Sequence, residues 1–227
     1  MKLLVSVVDA DEARVAAASG ADIVDVKNPV EGSLGAPAPA VIAAVCAAVG
    51  QPVSVAIGDM PNLPGTAALA AAGAASSGAT FVKVGLWGVS TEDDAVALLS
   101  AVRAAVPDAV VVAAAYADAR RVPHAPLAPE LLPRVARAAG VEVCLVDTAI
   151  KDGRGLLEWL SPEPIVAAAH DAGLEIALAG GLQAEDLPVV RDAGADIAGV
   201  RSAACVGGRS GALDGALVAA MRMRLPG

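Results

Sequence analysis

Lysine is the rarest charged residue in this sequence, and three of its four positions suggest a reactive role. The chain has 16 basic residues, of which four are lysine: Lys2, Lys27, Lys83 and Lys151. The last three lie at or just beyond the ends of short apolar segments. Arginine keeps its proton in a protein, whereas a lysine amine buried near another cation becomes neutral more readily. Because a neutral amine forms a Schiff base with a carbonyl group, these three lysines predict carbonyl chemistry.

Two aspartates accompany these lysines. Asp25 precedes Lys27 by two residues, and Asp147 precedes Lys151 by four. Residues two apart on a strand point to the same face, so Asp25 and Lys27 are predicted to form an ion pair inside the protein. Buried ion pairs that only order a fold also perturb pKa values, so a purely structural role is the competing interpretation. The recurrence of lysine at three strand ends favours a reactive site.

Short segments rich in Val, Ile and Leu predict eight β-strands. They cover residues 2–8, 22–27, 52–58, 80–86, 108–115, 141–147, 175–180 and 196–201. The stretches between them are rich in Ala, Leu, Arg and Glu and predict helices. These cover roughly residues 10–19, 37–50, 65–78, 91–106, 129–139, 155–172, 183–193 and 211–224. A strand followed by a helix therefore occurs eight times.

Glycines at the joints between helices and strands support this order, because glycine suits the left-handed position that ends a helix. They are Gly20, Gly50, Gly78, Gly140, Gly173 and Gly194. Nearly continuous apolar strands alternating with helices predict a parallel sheet covered on its outer face. Eight such units without a linker predict a single α/β domain over residues 1–227, a (β/α)8 TIM barrel. An open doubly wound sheet is the alternative.

The polar strand ends belong to even-numbered strands. They are Asp25 and Lys27 on strand two, Lys83 on strand four, Asp147 with Lys151 just beyond strand six, and Arg201 on strand eight. In a barrel, the side chains of one interior layer come from alternate strands, and catalytic groups lie at the carboxyl ends of the strands. We therefore expect these side chains to share one layer at the mouth of the barrel, the end where the strands finish.

The last two units predict a phosphate site. Gly180 and Gly181 follow strand seven, and Arg201 and Ser202 follow strand eight. The loops at these two places commonly bind phosphate in this fold. Glycine allows close backbone approach, and amides at a helix start favour an anion. A plain glycine turn is the competing interpretation.

Composition disfavours several classes of partner. A net charge of -9 repels a phosphate backbone, and with 2% aromatic residues few side chains are present to stack on bases, so we expect no nucleic acid partner. Every long apolar stretch is interrupted by polar residues, glycine or proline, so we expect a soluble protein with no membrane span. A homo-oligomer is compatible with this composition.

Cysteine and histidine usage predicts neither a metal site nor a cofactor. The cysteines stand singly, at Cys46, Cys144 and Cys205. With only His124 and His170 as further nitrogen ligands, no spacing typical of a metal site is present. This cysteine pattern fits a reducing cytoplasm, and we expect Cys205 to be a small buried apolar residue.

Over nearly its whole length the sequence resembles the (5-formylfuran-3-yl)methyl phosphate synthases, also called 4-(hydroxymethyl)-2-furancarboxaldehyde phosphate synthases. The segments that carry the resemblance are LLVSVVDADEA, DIVDVKNPVEGSLGA, VKVGLWG, AAAYADARR, VDTAIKDGRGL, LAGGL and GVRSAAC. DVKNPVEGSLGA and DTAIKDG are long enough to be specific. The family often has Ala-Gly-Ser after strand seven and Arg-Gly after strand eight, where this chain has Ala179-Gly180-Gly181 and Arg201-Ser202.

The resemblance implies a (β/α)8 lyase that condenses two molecules of glyceraldehyde 3-phosphate into the phosphorylated furan aldehyde, with release of phosphate and water. In that family the furan serves methanofuran biosynthesis. The resemblance makes Lys27 the Schiff-base candidate beside Asp25, with Lys83, Asp147 and Lys151 completing the charged cluster. A small phosphorylated substrate is thus the expected partner. Two other functions remain open: a Schiff-base aldolase acting on a phosphorylated sugar, and a non-catalytic barrel that binds a phosphorylated metabolite.

Overall fold

The centre of the molecule is a closed barrel of parallel strands. A computed structural model describes residues 1–225, and within them β1 to β8 pair in sequence order while β8 pairs back onto β1. The strands are β1 (Lys2–Val7), β2 (Ile23–Val26), β3 (Val53–Pro61), β4 (Phe81–Gly88), β5 (Val110–Tyr116), β6 (Val143–Asp147), β7 (Glu175–Leu178) and β8 (Ile197–Val200). The predicted (β/α)8 barrel is confirmed. The open doubly wound alternative is wrong because β1 and β8 are joined.

A helix follows each of these strands and packs on the outside of the barrel. The helices are α1 (Ala10–Ala18), α2 (Pro39–Ala48), α3 (Pro64–Ser76), α4 (Glu92–Ala105), α5 (Leu132–Ala138), α6 (Pro162–Asp171), α7 (Leu187–Asp192) and α8 (Gly215–Met223). Within residues 1–225, no helix combines the length and the apolar character needed to cross a membrane.

Helix boundaries follow local capping chemistry. Thr91 caps α4, since its side chain accepts a hydrogen bond from the Asp94 amide at 3.2 Å. Five of the six predicted joint glycines have positive φ: Gly20, Gly78, Gly140, Gly173 and Gly194. The prediction for Gly50 is wrong, because α2 ends in an extended residue, Val49.

Three predicted helices, α6, α7 and α8, begin at least four residues later than expected. Helix α7 starts at Leu187 rather than at residue 183. Helix α6 starts at Pro162 rather than at residue 155, because Ser161 before the proline is extended and proline is accommodated at a helix start. The segment ahead of it forms a short 3-10 turn over Leu156–Glu158. Helix α8 starts at Gly215 rather than at residue 211, after the antiparallel pair β9 (Cys205–Val206) and β10 (Ala212–Leu213).

Apolar side chains form two layers. One fills the space between strands and helices and includes Leu3, Val84, Leu98 and Ile176. The other lies inside the barrel and includes Ile23, Val112, Val143, Leu145 and Ile197. The interior layer forms an apolar floor beneath the polar strand ends, so charged groups at the mouth lie above a surface that water does not penetrate easily.

Candidate active site

A cavity at the mouth of the barrel brings most of the predicted residues together. The empty space in and above this cavity, open solvent included, is about 700 Å³. Seven of the nine predicted site residues line it: Lys27, Lys83, Asp147, Lys151, Gly180, Arg201 and Ser202. Asp25 is not among the residues that line the cavity, but it accepts a hydrogen bond from the amine of Lys83, which does line it. Gly181 faces the loop after β6, since a Cβ added there would lie 3.1 Å from Gly155 Cα.

Asp25 is fully buried and is bonded by three side chains. The Lys83 amine donates to its carboxylate at 2.7 Å, and the hydroxyls of Ser6 and Ser54 each donate at 2.8 Å. Ser6 and Ser54 are the residues paired with Asp25 on β1 and β3, so the barrel register brings them to it. Burial raises the pKa of Asp25, but the charges of Lys83 and Lys27 outweigh it and leave that pKa below its usual value. Asp25 is therefore a carboxylate.

The predicted ion pair between Asp25 and Lys27 is wrong, since the ion-pair partner of Asp25 is Lys83. Two-residue spacing puts Asp25 and Lys27 on one face, but they are separated along the strand by about 6.6 Å of rise. Lys27 also lies just beyond Val26, where β2 ends. Among residues 1–225, the buried ion pairs of the cavity leave the Lys27 amine without a carboxylate partner.

Lys27 consequently has an unusual charge state. Its side chain is buried, with 6% of the residue exposed. Burial lowers its pKa, the charges of Lys83 and Lys151 lower it further, and those of Asp147 and Asp25 raise it, so that the pKa falls to about 7. A large fraction of this amine is therefore neutral near pH 7 and available as a nucleophile.

Asp147 and Lys151 form the second ion pair of the cavity. The Lys151 amine donates to Asp147 Oδ1 at 2.7 Å and to Thr148 Oγ1 at 3.1 Å. Burial raises the pKa of Asp147, but Lys151 and Lys27 outweigh it and lower that pKa to about 2. The loop that carries Lys151 is fixed by Asp118, whose carboxylate accepts from the amides of Ala149 and Ile150 at 2.6 and 2.9 Å.

The glycine turn after β7 packs closely against the second ion pair. Gly180 has φ +104°, and a Cβ added there would lie 2.7 Å from the Thr148 amide nitrogen and 3.0 Å from Asp147 Oδ1. A side chain at this position would therefore displace Asp147. Gly181 also has a positive φ, +66°. The turn brings backbone next to the carboxylate in a way that only glycine allows.

Arg201 lines the cavity with every donor of its guanidinium occupied. Its Nη1 bonds the Ser6 carbonyl at 3.1 Å and a Glu12 oxygen, while its Nη2 bonds the other Glu12 oxygen at 3.2 Å and the Gly211 carbonyl at 3.0 Å. Its Nε donates to the Arg209 carbonyl at 3.1 Å. An arginine has five N–H donors, so these bonds use all of them. Arg201 contributes charge to the site and holds the loop after β8.

Several residues of the site are not predicted by the sequence pattern. Ser6 and Ser54 could have been found, because each is a polar residue within an apolar strand next to the strand of Asp25. Glu12 lies at the start of α1, where an acidic residue is ordinary, and gives no signal. Arg209 lies among glycines in the loop after β8, and no spacing distinguishes it from a surface arginine.

Enzymes with a (β/α)8 barrel have their active sites at the carboxyl ends of the strands. The cavity with paired and unpaired lysines lies at this end, so the fold and the site define a barrel enzyme. Residues 3–222 match the family model described as 4-HFC-P synthase. The chain belongs to this family, and it is an enzyme with a synthase role in furan biosynthesis.

Curated relatives cover nearly the entire chain. The (5-formylfuran-3-yl)methyl phosphate synthase of Methanosarcina barkeri is 48% identical, covering 96% of this chain and 96% of that protein. The protein of the same name from Methanocaldococcus jannaschii is also 48% identical, covering 96% and 97%. That from Methanopyrus kandleri is 50% identical, covering 90% and 89%.

Solved structures resemble the barrel at much lower identity. The crystal structure of 3-hexulose-6-phosphate synthase matches with a TM-score of 0.63 at 22% identity and covers 100% of both chains. Phosphoribosyl anthranilate isomerase from Thermus thermophilus matches with a TM-score of 0.62 at 16% identity, covering 99% and 98%. At these identities the similarity concerns the fold alone.

The burial of Lys27 predicts a gain in stability when its charge is removed. We expect Lys27→Met to stabilise the protein by about 1–2 kcal/mol at or below pH 7, the usual size of such a gain at a strained functional position. Between the folded pKa of about 7 and the ordinary value of 10.5, the unfolded wild type binds more protons, so its stability rises with pH. The advantage of the variant should therefore shrink above pH 7. Urea unfolding at several pH values measures this, and a variant less stable than wild type at pH 7 would contradict it.

Loss of the cation beside Asp25 should destabilise the barrel. In Lys83→Met the buried carboxylate keeps only its serine donors, and breaking a buried pair costs about 3–5 kcal/mol. The matched control is Lys2→Met, which breaks the exposed pair between Lys2 and Glu175 and should cost no more than about 1 kcal/mol. Urea unfolding of both variants is the measurement. Equal midpoints would refute a stabilising role for the buried pair.

Proposed function

We propose that the enzyme condenses two molecules of glyceraldehyde 3-phosphate into (5-formylfuran-3-yl)methyl phosphate through a Schiff base on Lys27. Phosphoric acid and two molecules of water balance the reaction. The names of the relatives support the product, which is the furan aldehyde phosphate that those proteins are named for. We further propose that the furan is a precursor of a methanofuran-type cofactor or a related metabolite, made in the cytoplasm.

The observation that carries the proposal is the state of the Lys27 amine. It lines the cavity, has no carboxylate partner within residues 1–225 and has a pKa lowered to about 7. The other two lysines of the cavity donate to Asp25 and Asp147 at 2.7 Å each, so both of their amines are engaged in ion pairs. A carbonyl substrate in the cavity therefore meets one neutral nucleophile between two fixed cations.

In the proposed sequence, the neutral Lys27 amine adds to the aldehyde of one triose phosphate, and loss of water gives an iminium ion. The iminium withdraws electrons and makes the adjacent C–H acidic, so that a base can remove this proton to give an enamine. The enamine then forms a carbon–carbon bond to the second triose, and elimination of phosphate and water leads to the aromatic ring. Hydrolysis of the Schiff base by one water molecule releases the product and restores the Lys27 amine. Asp147 and Asp25 are the candidate bases, and both have lowered pKa values.

The remaining predicted residues have supporting roles in this proposal. Lys83 and Lys151 keep the pKa of Lys27 low and stabilise oxyanions that form on the substrates. The backbone of the Gly180–Gly181 turn and the Ser202 hydroxyl bind one substrate phosphate, and Arg201 adds positive charge behind them. The cavity combines an apolar floor with a few charged groups and glycine backbone at one end, which is the usual lining of a site for a small polar ligand.

Incubation with glyceraldehyde 3-phosphate tests the reaction and the nucleophile together. We expect growth of furan-aldehyde ultraviolet absorbance and, after borohydride reduction, a mass adduct on the peptide that contains Lys27. Lys27→Met should lose both signals, with a loss of rate of roughly 10³-fold or more. Lys2→Met should keep both.

Other outcomes distinguish the alternatives. An adduct on Lys27 without furan absorbance would support the Schiff-base aldolase and refute the synthase reaction. Neither signal with any triose phosphate would support the non-catalytic binding barrel.

The pH dependence follows from the lowered pKa of Lys27. Only the neutral amine attacks a carbonyl, so kcat/KM should fall as the pH is lowered through about 7 and level off above it. Initial rates of furan formation across about pH 5.5 to 9 measure the profile. A rate that stays constant down to the range where carboxylates titrate would contradict a Lys27 nucleophile with this pKa.

A further inference from the structure

The loop after β8 carries two arginines that line the cavity, and only one of them has donors to spare. All five donors of Arg201 are bound, to Glu12 and to backbone carbonyl groups. A phosphate could bond the Arg201 guanidinium only by displacing one of these partners. The second arginine, Arg209, lines the same cavity and is half-buried.

Arg209 reaches across the mouth with most of its hydrogen-bonding capacity unused. Its Nη2 donates to the Gly32 carbonyl at 2.5 Å and approaches the Pro29 carbonyl at 3.5 Å. Within residues 1–225, its Nε and Nη1 groups make no hydrogen bond, and no carboxylate forms an ion pair with it. Burial lowers the pKa of Arg209 below its usual value, and the charges of Asp147 and Asp59, which raise it, offset this only in part. These charges show that the guanidinium lies near the carboxylates of the cavity.

The neighbouring contacts hold Arg209 in this position. The Arg201 guanidinium bonds the carbonyl groups of Arg209 and Gly211, and Glu12 bonds both Arg201 and the Leu213 amide. Arg201 is therefore a positioning residue for the loop, and Arg209 is the group that the loop presents. Gly32 and Pro29, which Arg209 contacts, belong to the loop that follows β2, the strand that leads to Lys27.

We propose that Arg209 binds a substrate phosphate directly, at a subsite between the loops after β8 and β2 that is separate from the glycine turn after β7. The Nε and Nη1 groups of Arg209, free within the described part of the chain, carry N–H donors on a permanent cation, and such donors form charge-assisted hydrogen bonds with phosphate oxygens. This inference rests on the proposed function, because a condensation of two triose phosphates brings two phosphate groups into one cavity. The Gly180–Gly181 turn serves one of them, and Arg209 serves the other.

The test compares Arg209→Met and Arg209→Lys with wild type. The matched control is Arg120→Met, which removes an exposed positive charge from the loop after β5 that does not line the cavity. The first probe is glycerol 3-phosphate, which has a phosphate but no carbonyl group, and its affinity is measured by calorimetry. Arg209→Met should weaken binding by roughly 10- to 100-fold, Arg209→Lys should lie between it and wild type, and Arg120→Met should change nothing.

A second probe separates phosphate binding from support of the loop. Glyceraldehyde has the carbonyl group without the phosphate, and its borohydride-trapped adduct on Lys27 should form equally in wild type and Arg209→Met. Unchanged affinity of Arg209→Met for glycerol 3-phosphate would overturn the inference. Equal loss of glycerol 3-phosphate binding and of glyceraldehyde trapping would also overturn it, since Arg209 would then only hold the mouth in shape.

The same experiments distinguish failure of this inference from failure of the proposed reaction. If wild type makes no furan from glyceraldehyde 3-phosphate but loses glycerol 3-phosphate affinity on Arg209→Met, the phosphate subsite stands and the condensation is refuted. If wild type makes the furan and Arg209→Met keeps both its KM and its affinity, the condensation stands and the subsite is refuted.

Discussion

The site depends on one electrostatic constraint, the burial of more ammonium groups than carboxylates at the mouth of a closed barrel. Lys83 pairs with Asp25 and Lys151 with Asp147, each at 2.7 Å. Lys27 is the third amine, and the described residues provide no further carboxylate for it. An uncompensated buried charge is costly, and a lysine relieves this cost by giving up its proton. Burial is the largest cause of the lowered pKa of Lys27, about 7, and because both carboxylates are held by other lysines, neither of them pairs with this amine to cancel the effect of burial.

The lysines can therefore both order the fold through ion pairs and provide a reactive amine. The network that orders the barrel mouth is also what leaves Lys27 free, because Asp25 is held by Lys83, Ser6 and Ser54. Asp25 thus influences Lys27 by charge at a distance and not by a hydrogen bond. If Asp25 turned to Lys27, the amine would be held as an ammonium ion. By holding Asp25, the serines of β1 and β3 thereby help to keep the Lys27 amine unpaired.

The sequence predicts the barrel and the layer of charged residues well, because both depend on periodicity. Strand-helix alternation and the even numbering of the polar strands are properties of the order of residues along the chain. Prediction from the sequence fails for the pairing of side chains that come from different strands and meet across the barrel. Asp25 and Lys27 share a face, yet the partner of Asp25 comes from β4, and no spacing along the chain encodes that distance. Arg209 was missed for the same reason, since its partners lie about 180 residues earlier in the chain.

Strands and loops contribute different parts of the site. The strands carry Asp25, Lys83 and Asp147, and the barrel that these strands form is the part that resembles distant solved structures. The loops meet the rest of the substrate, and here they are tied to one another: the Ser33 hydroxyl bonds the Thr148 carbonyl at 2.9 Å, and Arg209 bonds the Gly32 carbonyl at 2.5 Å. Loops joined in this way form a cavity before any substrate arrives. In the proposed reaction, less ordering entropy would then oppose binding, and the two small molecules that react with each other would be held in fixed positions relative to Lys27.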